Sequence, residues 1–299
     1  YREARVIYLK KRRILYFIKD GSFLLLKIYA ALQTRGYIAM QYDRTIIGRQ
    51  AKELGFVRDT FEKVCRLTDI LNFISEDTFL SDRLALKGGT AINLTVFDLP
   101  RLSVDIDLDF CKNIDREKMI TERKNITEHI DKFMSASGYS LSRKSKQYYA
   151  LDSFVYEYIN SGGAKDNIKI EINYMLRCHV FPLAKRQVKL PWIKKDVNVL
   201  CLDPTEIFSS KIVALLSRTA PRDLYDIYNM QKYENPDENK KSLMRKCTVF
   251  YSAIARENAP EYFEFDNILK LDQHRIKTDL IPVLRSRENF NVKVAQEIT

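Results

Sequence analysis

The 299-residue chain is 45% hydrophobic and 30% charged, which reads as a globular, soluble protein long enough for one large domain or two ordinary ones. Its five cysteines (Cys65, Cys111, Cys178, Cys201 and Cys247) are odd in number, widely spaced and free of any C-x-x-C pair. That pattern excludes a disulfide framework and a zinc site and fits a reducing cytoplasm. The net charge of +11 is unevenly placed: residues 1–39 hold nine Lys/Arg against two Asp/Glu, a net of +7 that leaves +4 for residues 40–299.

In chain order, residues 1–39 read as an over-extended or non-native start ahead of Met40, or else as a basic membrane- or RNA-binding arm. Their best apolar stretch, 14–32, is broken by Lys19, Asp20, Gly21 and Lys27, too often for a membrane span or a signal peptide. Residues 43–54 predict a helix capped by Asp43 and stopped by Gly55. A second helix at 57–75 presents Val57, Phe61, Val64, Leu71 and Ile74 at helical spacing. A strand, a Gly-Gly turn and a helix follow at 84–97, then an acidic strand, then a helix at 115–137 with Ile126, Ile130 and Phe133 inward and Gly138 at its end. Residues 139–174 switch to β character, with one strand at 148–158, a turn at 161–164, and a return strand pointing Ile168, Ile170, Ile172 and Tyr174 one way. From Asp203 onward the pattern is helical: a capping box at Asp203 to Glu206 opens a helix at 204–217, and further helices fit 222–232, 237–258 and parts of 261–289. Leu243, Cys247, Phe250 and Ile254 form an apolar stripe expected in the core.

The acidic strand is the most informative segment. Residues 103–110 alternate so that Ile106, Leu108 and Phe110 face one side and Asp105, Asp107 and Asp109 the other. Like charges two residues apart repel, and Asp is a poor strand former, so a positive charge must offset the crowding; a hard divalent cation fits. Upstream, Gly88, Gly89 and Thr90 open a helix, where missing Cβ atoms and unpaired N–H groups suit a phosphate. A phosphate cradle followed by a carboxylate strand suggests a metal–nucleotide site. On the return strand Glu171 shares a face with Lys169 and Asn173, either as a third carboxylate beside Asp105 and Asp107 or as an ordinary residue paired with Lys169. Lys211 interrupts an apolar face between Ile207 and Leu215, either snorkelling to the surface or reaching the phosphates. Asp226 is spaced for a salt bridge with Arg222, yet it also shares with Asp223 a face that could look into a cleft. His129, His179 and His274 lie far apart and are assigned no chemistry.

Four motifs in order carry a resemblance. Leu86-Lys87-Gly88-Gly89-Thr90-Ala91-Ile92-Asn93-Leu94, Arg101-Leu102-Ser103-Val104-Asp105-Ile106-Asp107-Leu108, Pro204-Thr205-Glu206 through Lys211, and Arg222-Asp223-Leu224-Tyr225-Asp226 resemble the AbiEii/AbiGii-type toxin nucleotidyltransferases of the DNA polymerase β-like superfamily, over roughly residues 40–299. The resemblance implies an α+β fold, with a nucleotidyltransferase lobe of mixed sheet and helices at 40–200 and a helical lobe at 201–299 that completes the site. It implies Mg2+-dependent transfer of a nucleoside monophosphate from an NTP, with pyrophosphate leaving. Gly88, Gly89 and Thr90 would hold the triphosphate, with Arg101, Ser103 and Lys211 also nucleotide-binding. Asp105 and Asp107 would hold metal, joined by Glu171 on superfamily analogy, and Lys211, Asp223 and Asp226 would complete the catalytic set. Expected partners are an RNA acceptor, tRNA above all, and a winged-helix antitoxin, in a toxin–antitoxin or phage-defence system in the cytoplasm. Two rivals stand beside this reading: the same fold acting on a protein or small-molecule hydroxyl, and a non-catalytic protein that binds nucleotide or antitoxin.

Overall fold

Alternating segments between residues 84 and 201 assemble into an eight-stranded mixed sheet in the computed structural model, which describes residues 42–190, 196–234, 236–255, 263–288 and 290–298. It also describes two short antiparallel strands, β1 (Val6–Tyr8) and β2 (Leu15–Phe17). The reading of 1–39 as a non-native start otherwise lies outside the described residues.

The sheet strands are β3 (Leu84–Lys87), β4 (Asp105–Phe110), β5 (Ser140–Leu141), β6 (Lys146–Gln147), β7 (Leu151–Ile159), β8 (Lys165–Asn173), β9 (Ala184–Gln187) and β10 (Asn198–Cys201). Their order is β5-β7-β8-β4-β3-β10-β9, with β6 also on β7. The acidic strand β4 is therefore central, parallel to β8 and antiparallel to β3. Its apolar side is fully committed: Ile106, Leu108 and Phe110 are at most 1% exposed. That burial, about 1.5–3 kcal/mol for each large side chain, fixes the register and so holds the aspartates on the other face.

Helices α1 (Arg44–Leu54) and α2 (Arg58–Glu76) precede the sheet, and α4 (Arg116–Ala136) follows β4. The Asp43 carboxylate accepts from the Thr45 and Ile46 N–H groups, and Gly55 ends α1 at φ 80°, as the sequence predicts. Asp115 caps α4 in the same way, and Ile126, Ile130 and Phe133 are buried. Phe133 stacks on Phe73 of α2 with centroids 4.0 Å apart. Val57 departs from expectation: it precedes the first turn of α2 and is half exposed. The first long β strand also starts later than expected, at Leu151, which leaves Tyr148 and Tyr149 in an exposed turn.

Beyond Asp203 lie α5 (Pro204–Arg218), α6 (Pro221–Glu234) and α7 (Glu238–Ala255). Asp203 caps α5 through the Thr205 N–H, but Glu206 does not close the capping box. Its buried carboxylate instead accepts from the Tyr251 hydroxyl and from the Val180 and Phe181 N–H groups. The expected stripe on α7 is also corrected. Cys247 is buried, but Leu243, Phe250 and Ile254 are 41–46% exposed, while Met244, Thr248 and Ser252 face inward. The close α5–α7 crossing explains this rotation: the Ser209 hydroxyl reaches the Met244 carbonyl at 3.2 Å, an approach that favours slim or flexible side chains.

Candidate active site

The site grows from the β3 turn. Lys87 ends β3, and Gly88 at φ 68° starts α3 (Gly88–Ala91), which continues as one π-helical turn to Val96. A Cβ on Gly88 would lie 2.3 Å from Asp107 Oδ2, and one on Gly89 would lie 2.7 Å from an Arg101 guanidinium nitrogen. Both glycines are thus required by close approach, and the backbone of the turn is pressed against the acidic strand. Thr90 is fully buried, and its hydroxyl donates to the Asp105 carbonyl and lies 3.0 Å from Ser103 Oγ. Thr90 and Ser103 therefore fasten the turn to β4 through their side chains.

Across the sheet, Asp107 is registered with Lys87 on one side and Glu171 on the other, and Asp105 with Lys169. The nearby cations are engaged elsewhere. Lys87 pairs with Asp109 at 2.5 Å, Lys169 with Glu171 at 2.8 Å, and Lys211 with Asp223 at 2.7 Å and Asp226 at 3.1 Å. Among the described residues Asp105 and Asp107 have no ion-pair partner. Burial pushes the Asp107 carboxyl above its ordinary range; Lys87 and Lys211 pull it back in part, whereas Asp105 and Glu171 add to the rise. Asp109, the third aspartate of the face, is fully buried against Lys87, whereas Asp105 and Asp107 are part-exposed.

The helical segment contributes an alternating run of charges. Arg101 is 1% exposed and grips Asp226 with two bonds of 2.8 and 2.6 Å. Lys211 bridges Asp226 and Asp223, and Arg218 closes the run on Asp223 with bonds of 2.6 and 3.0 Å. Arg222 is not the partner of Asp226, and Lys211 does not snorkel: its side chain is 10% exposed. Burial alone would raise the Asp223 carboxyl, but Lys211 and Arg218 lower it to about 2. Asp226 is likewise held below the usual range by Arg101 and Lys211. The charges of Lys211 and Arg218 both act on Asp107, so this network faces the β4 carboxylates.

The structure thus gathers Gly88, Gly89, Thr90, Arg101, Ser103, Asp105, Asp107 and Glu171 around one turn and strand, with Lys211, Asp223 and Asp226 linked to them through Arg101. Sequence reasoning passed over Arg218. Its signal was available, as the cation five residues before Asp223, at the end of the Lys211 helix. Thr219, next to it, turns the chain in the left-handed region at φ 48°, a costly conformation for a β-branched residue that here swings α6 back towards α5.

Residues 72–295 match the family described as nucleotidyl transferase AbiEii toxin, type IV toxin–antitoxin system. The chain belongs to the AbiEii family. It is thereby a nucleotidyltransferase. No curated protein matches the sequence. Among solved structures, the AbiEii chain is similar to MenT4, a nucleotidyltransferase toxin from Mycobacterium tuberculosis H37Rv, at 15% identity and TM-score 0.62, covering 86% of this chain and 87% of that one. It is also similar to a crystal structure from H. pylori assigned to the nucleotidyltransferases, at 18% identity and TM-score 0.51, covering 81% and 92%. At such identities these likenesses establish the shared fold. No helix among the described residues of this AbiEii chain is long and apolar enough to cross a membrane.

Proposed function

We propose that this AbiEii protein is a Mg2+-dependent toxin that transfers a nucleoside monophosphate from an NTP to an RNA hydroxyl, with tRNA as the acceptor and a winged-helix antitoxin as its cellular counterpart. The observation that carries the reading is the contact of Gly88 with Asp107: the glycine turn that opens α3 touches a strand whose two foremost carboxylates have no ion-pair partner among the described residues. Two hard oxygen donors outside any ion pair fit Mg2+, which is commonly held by one or two carboxylates plus substrate phosphates.

Asp105 and Asp107 would hold the cation, which when bound neutralises charge on the phosphates during displacement. Glu171 stands beside them as a reserve carboxylate that Lys169 occupies. The Gly88–Gly89 backbone would receive the triphosphate. Thr90 and Ser103 serve by holding that backbone on β4, and Arg101 by holding Asp226, since these side chains are buried and engaged internally. Lys211 and Arg218 would oppose the growing charge on pyrophosphate, with Asp223 and Asp226 fixing their positions. In the reaction the RNA hydroxyl oxygen bonds to the α-phosphorus, its proton is released, and the bond to the β-phosphate oxygen breaks. The lobes divide near residue 200, and phage defence inside the cytoplasm is the setting that the toxin family suggests.

The test is incubation with total RNA, Mg2+ and each α-labelled NTP in turn. Labelled RNA of tRNA size is expected with the wild type. Label entering protein or a small molecule would favour the rival acceptors, and no label at all would favour a binding protein.

A further inference from the structure

A second built surface lies away from the carboxylates, at the start of β7. Tyr148 and Tyr149 are 52% and 72% exposed, yet the turn that carries them is fixed from beneath. Arg123 of α4 donates to the Tyr148 carbonyl at 2.8 Å and the Tyr149 carbonyl at 3.0 Å, while its other N–H groups bind the fully buried Asp152. The same guanidinium lies 5.0 Å from the Tyr174 ring centroid. Asp152 is fully buried and Arg123 15% exposed, and the pair fixes the backbone that carries two exposed aromatic rings. The rings border a groove of about 550 Å3 between this turn and the first half of α4.

The surround is cationic. Arg116 sits 5.5 Å from the Tyr149 ring centroid and Lys124 lines the groove, whose one acid, Glu128, pairs with Lys132. Neither Arg116 nor Lys124 is in an ion pair among the described residues. Fixed tyrosine faces amid unneutralised cations are the recognition chemistry of unpaired nucleic acid, in which bases stack and phosphates meet Lys and Arg. Met119 and Ile120 form the floor of the groove, an apolar surface against which a stacked base can also lie.

We propose that Tyr148 and Tyr149, with Arg116 and Lys124, form a docking platform for an unpaired stretch of the RNA acceptor. The proposal rests on the RNA-acceptor reading above and adds where the RNA is gripped. Asp152 is registered through Ile172 with Leu108, on the face of the sheet opposite Asp107. The platform is also two strands away from β4, roughly 10 Å across the sheet. An acceptor that touches both places must wrap the sheet edge, which a polynucleotide can do and a small molecule cannot.

The experiment measures binding of a labelled, unstructured oligouridylate and of bulk tRNA, alongside NTP affinity, in the full chain. Tyr148→Ala/Tyr149→Ala should weaken RNA binding about tenfold for each stacked base lost. Tyr148→Phe/Tyr149→Phe should retain it, and both variants should bind NTP and melt as the wild type does, because the rings are exposed. Arg116→Gln/Lys124→Gln should lower the salt slope by about 1.4. Polyglutamate, which has charge but no bases, should bind the alanine variant as well as the wild type. RNA binding undiminished in the alanine variant, with wild-type RNA binding intact, overturns the platform alone. An equal loss of polyglutamate binding would reassign the surface to an acidic protein. A wild type that binds no RNA overturns the acceptor reading and the platform with it.

Discussion

Asp107 is a carboxylate that folding would prefer to protonate. Its folded pKa is raised, so whatever stability its protonated form contributes is present below the unfolded pKa and lost as pH rises through the folded one. Burial opposes the charged form, and Asp107→Asn should leave the melting temperature unchanged or higher. The same change should reduce transfer at least about a hundredfold, since even outer partners of a metal site cost up to that much. Differential scanning fluorimetry beside the label-transfer assay checks both halves, and retained activity would remove Asp107 from the metal site. Asp223 has the opposite sign. Lowered to about 2, it contributes stability present above the unfolded pKa of 3.8 and lost as pH falls through about 2, worth roughly 2 kcal/mol. Unfolding free energies between pH 5 and pH 2 should therefore fall more steeply for the wild type than for Asp223→Asn, and parallel curves would refute the assignment. The aspartates on β4 were legible because period-2 alternation alone sets their face. The partners of Lys211 and Asp226 were not, because ion pairs spanning 125 residues, as between Arg101 and Asp226, leave no local spacing to read.

At the level of elements, the turn between β3 and α3 admits the sharpest test. Gly88→Ala places a methyl at 2.3 Å from the Asp107 carboxylate in a backbone conformation with positive φ. The clash should displace Asp107 or the turn, with loss of transfer and destabilisation of about 1–3 kcal/mol, measured by denaturant titration. An active Gly88→Ala variant would show that the turn and the strand need not touch. The caps at Asp43 and Asp203 were read correctly because each acts on N–H groups within three residues. The failures fell where tertiary contact overrides local pattern. The Glu206 side chain finds Tyr251 and the 180–181 backbone in place of its own helix start, and α7 turns Leu243, Phe250 and Ile254 outward to let Met244 and Ser209 meet.

For the whole molecule, Arg101 joins the sheet region to the helices, since its guanidinium holds Asp226 and its backbone bridges Leu284. Asp226→Ala strands a buried guanidinium and should cost about 3–5 kcal/mol in unfolding free energy. A loss under 1 kcal/mol would mean that the pair does not bind the two regions together. Motif order made the overall division into a sheet region and a helical region legible, but the sequence held no sign that the Tyr148–Tyr149 turn is clamped from below by Arg123. Monophosphate transfer to RNA is the property on which the whole-molecule reading depends. Its most direct measurement is the intact mass of tRNA after incubation with Mg2+ and NTP, together with released pyrophosphate, for the wild type and Asp107→Asn. The account predicts a gain of whole nucleoside monophosphate units, one pyrophosphate for each, with neither from Asp107→Asn. Unchanged tRNA mass in the presence of every NTP, from a folded wild type that binds both substrates, would contradict it.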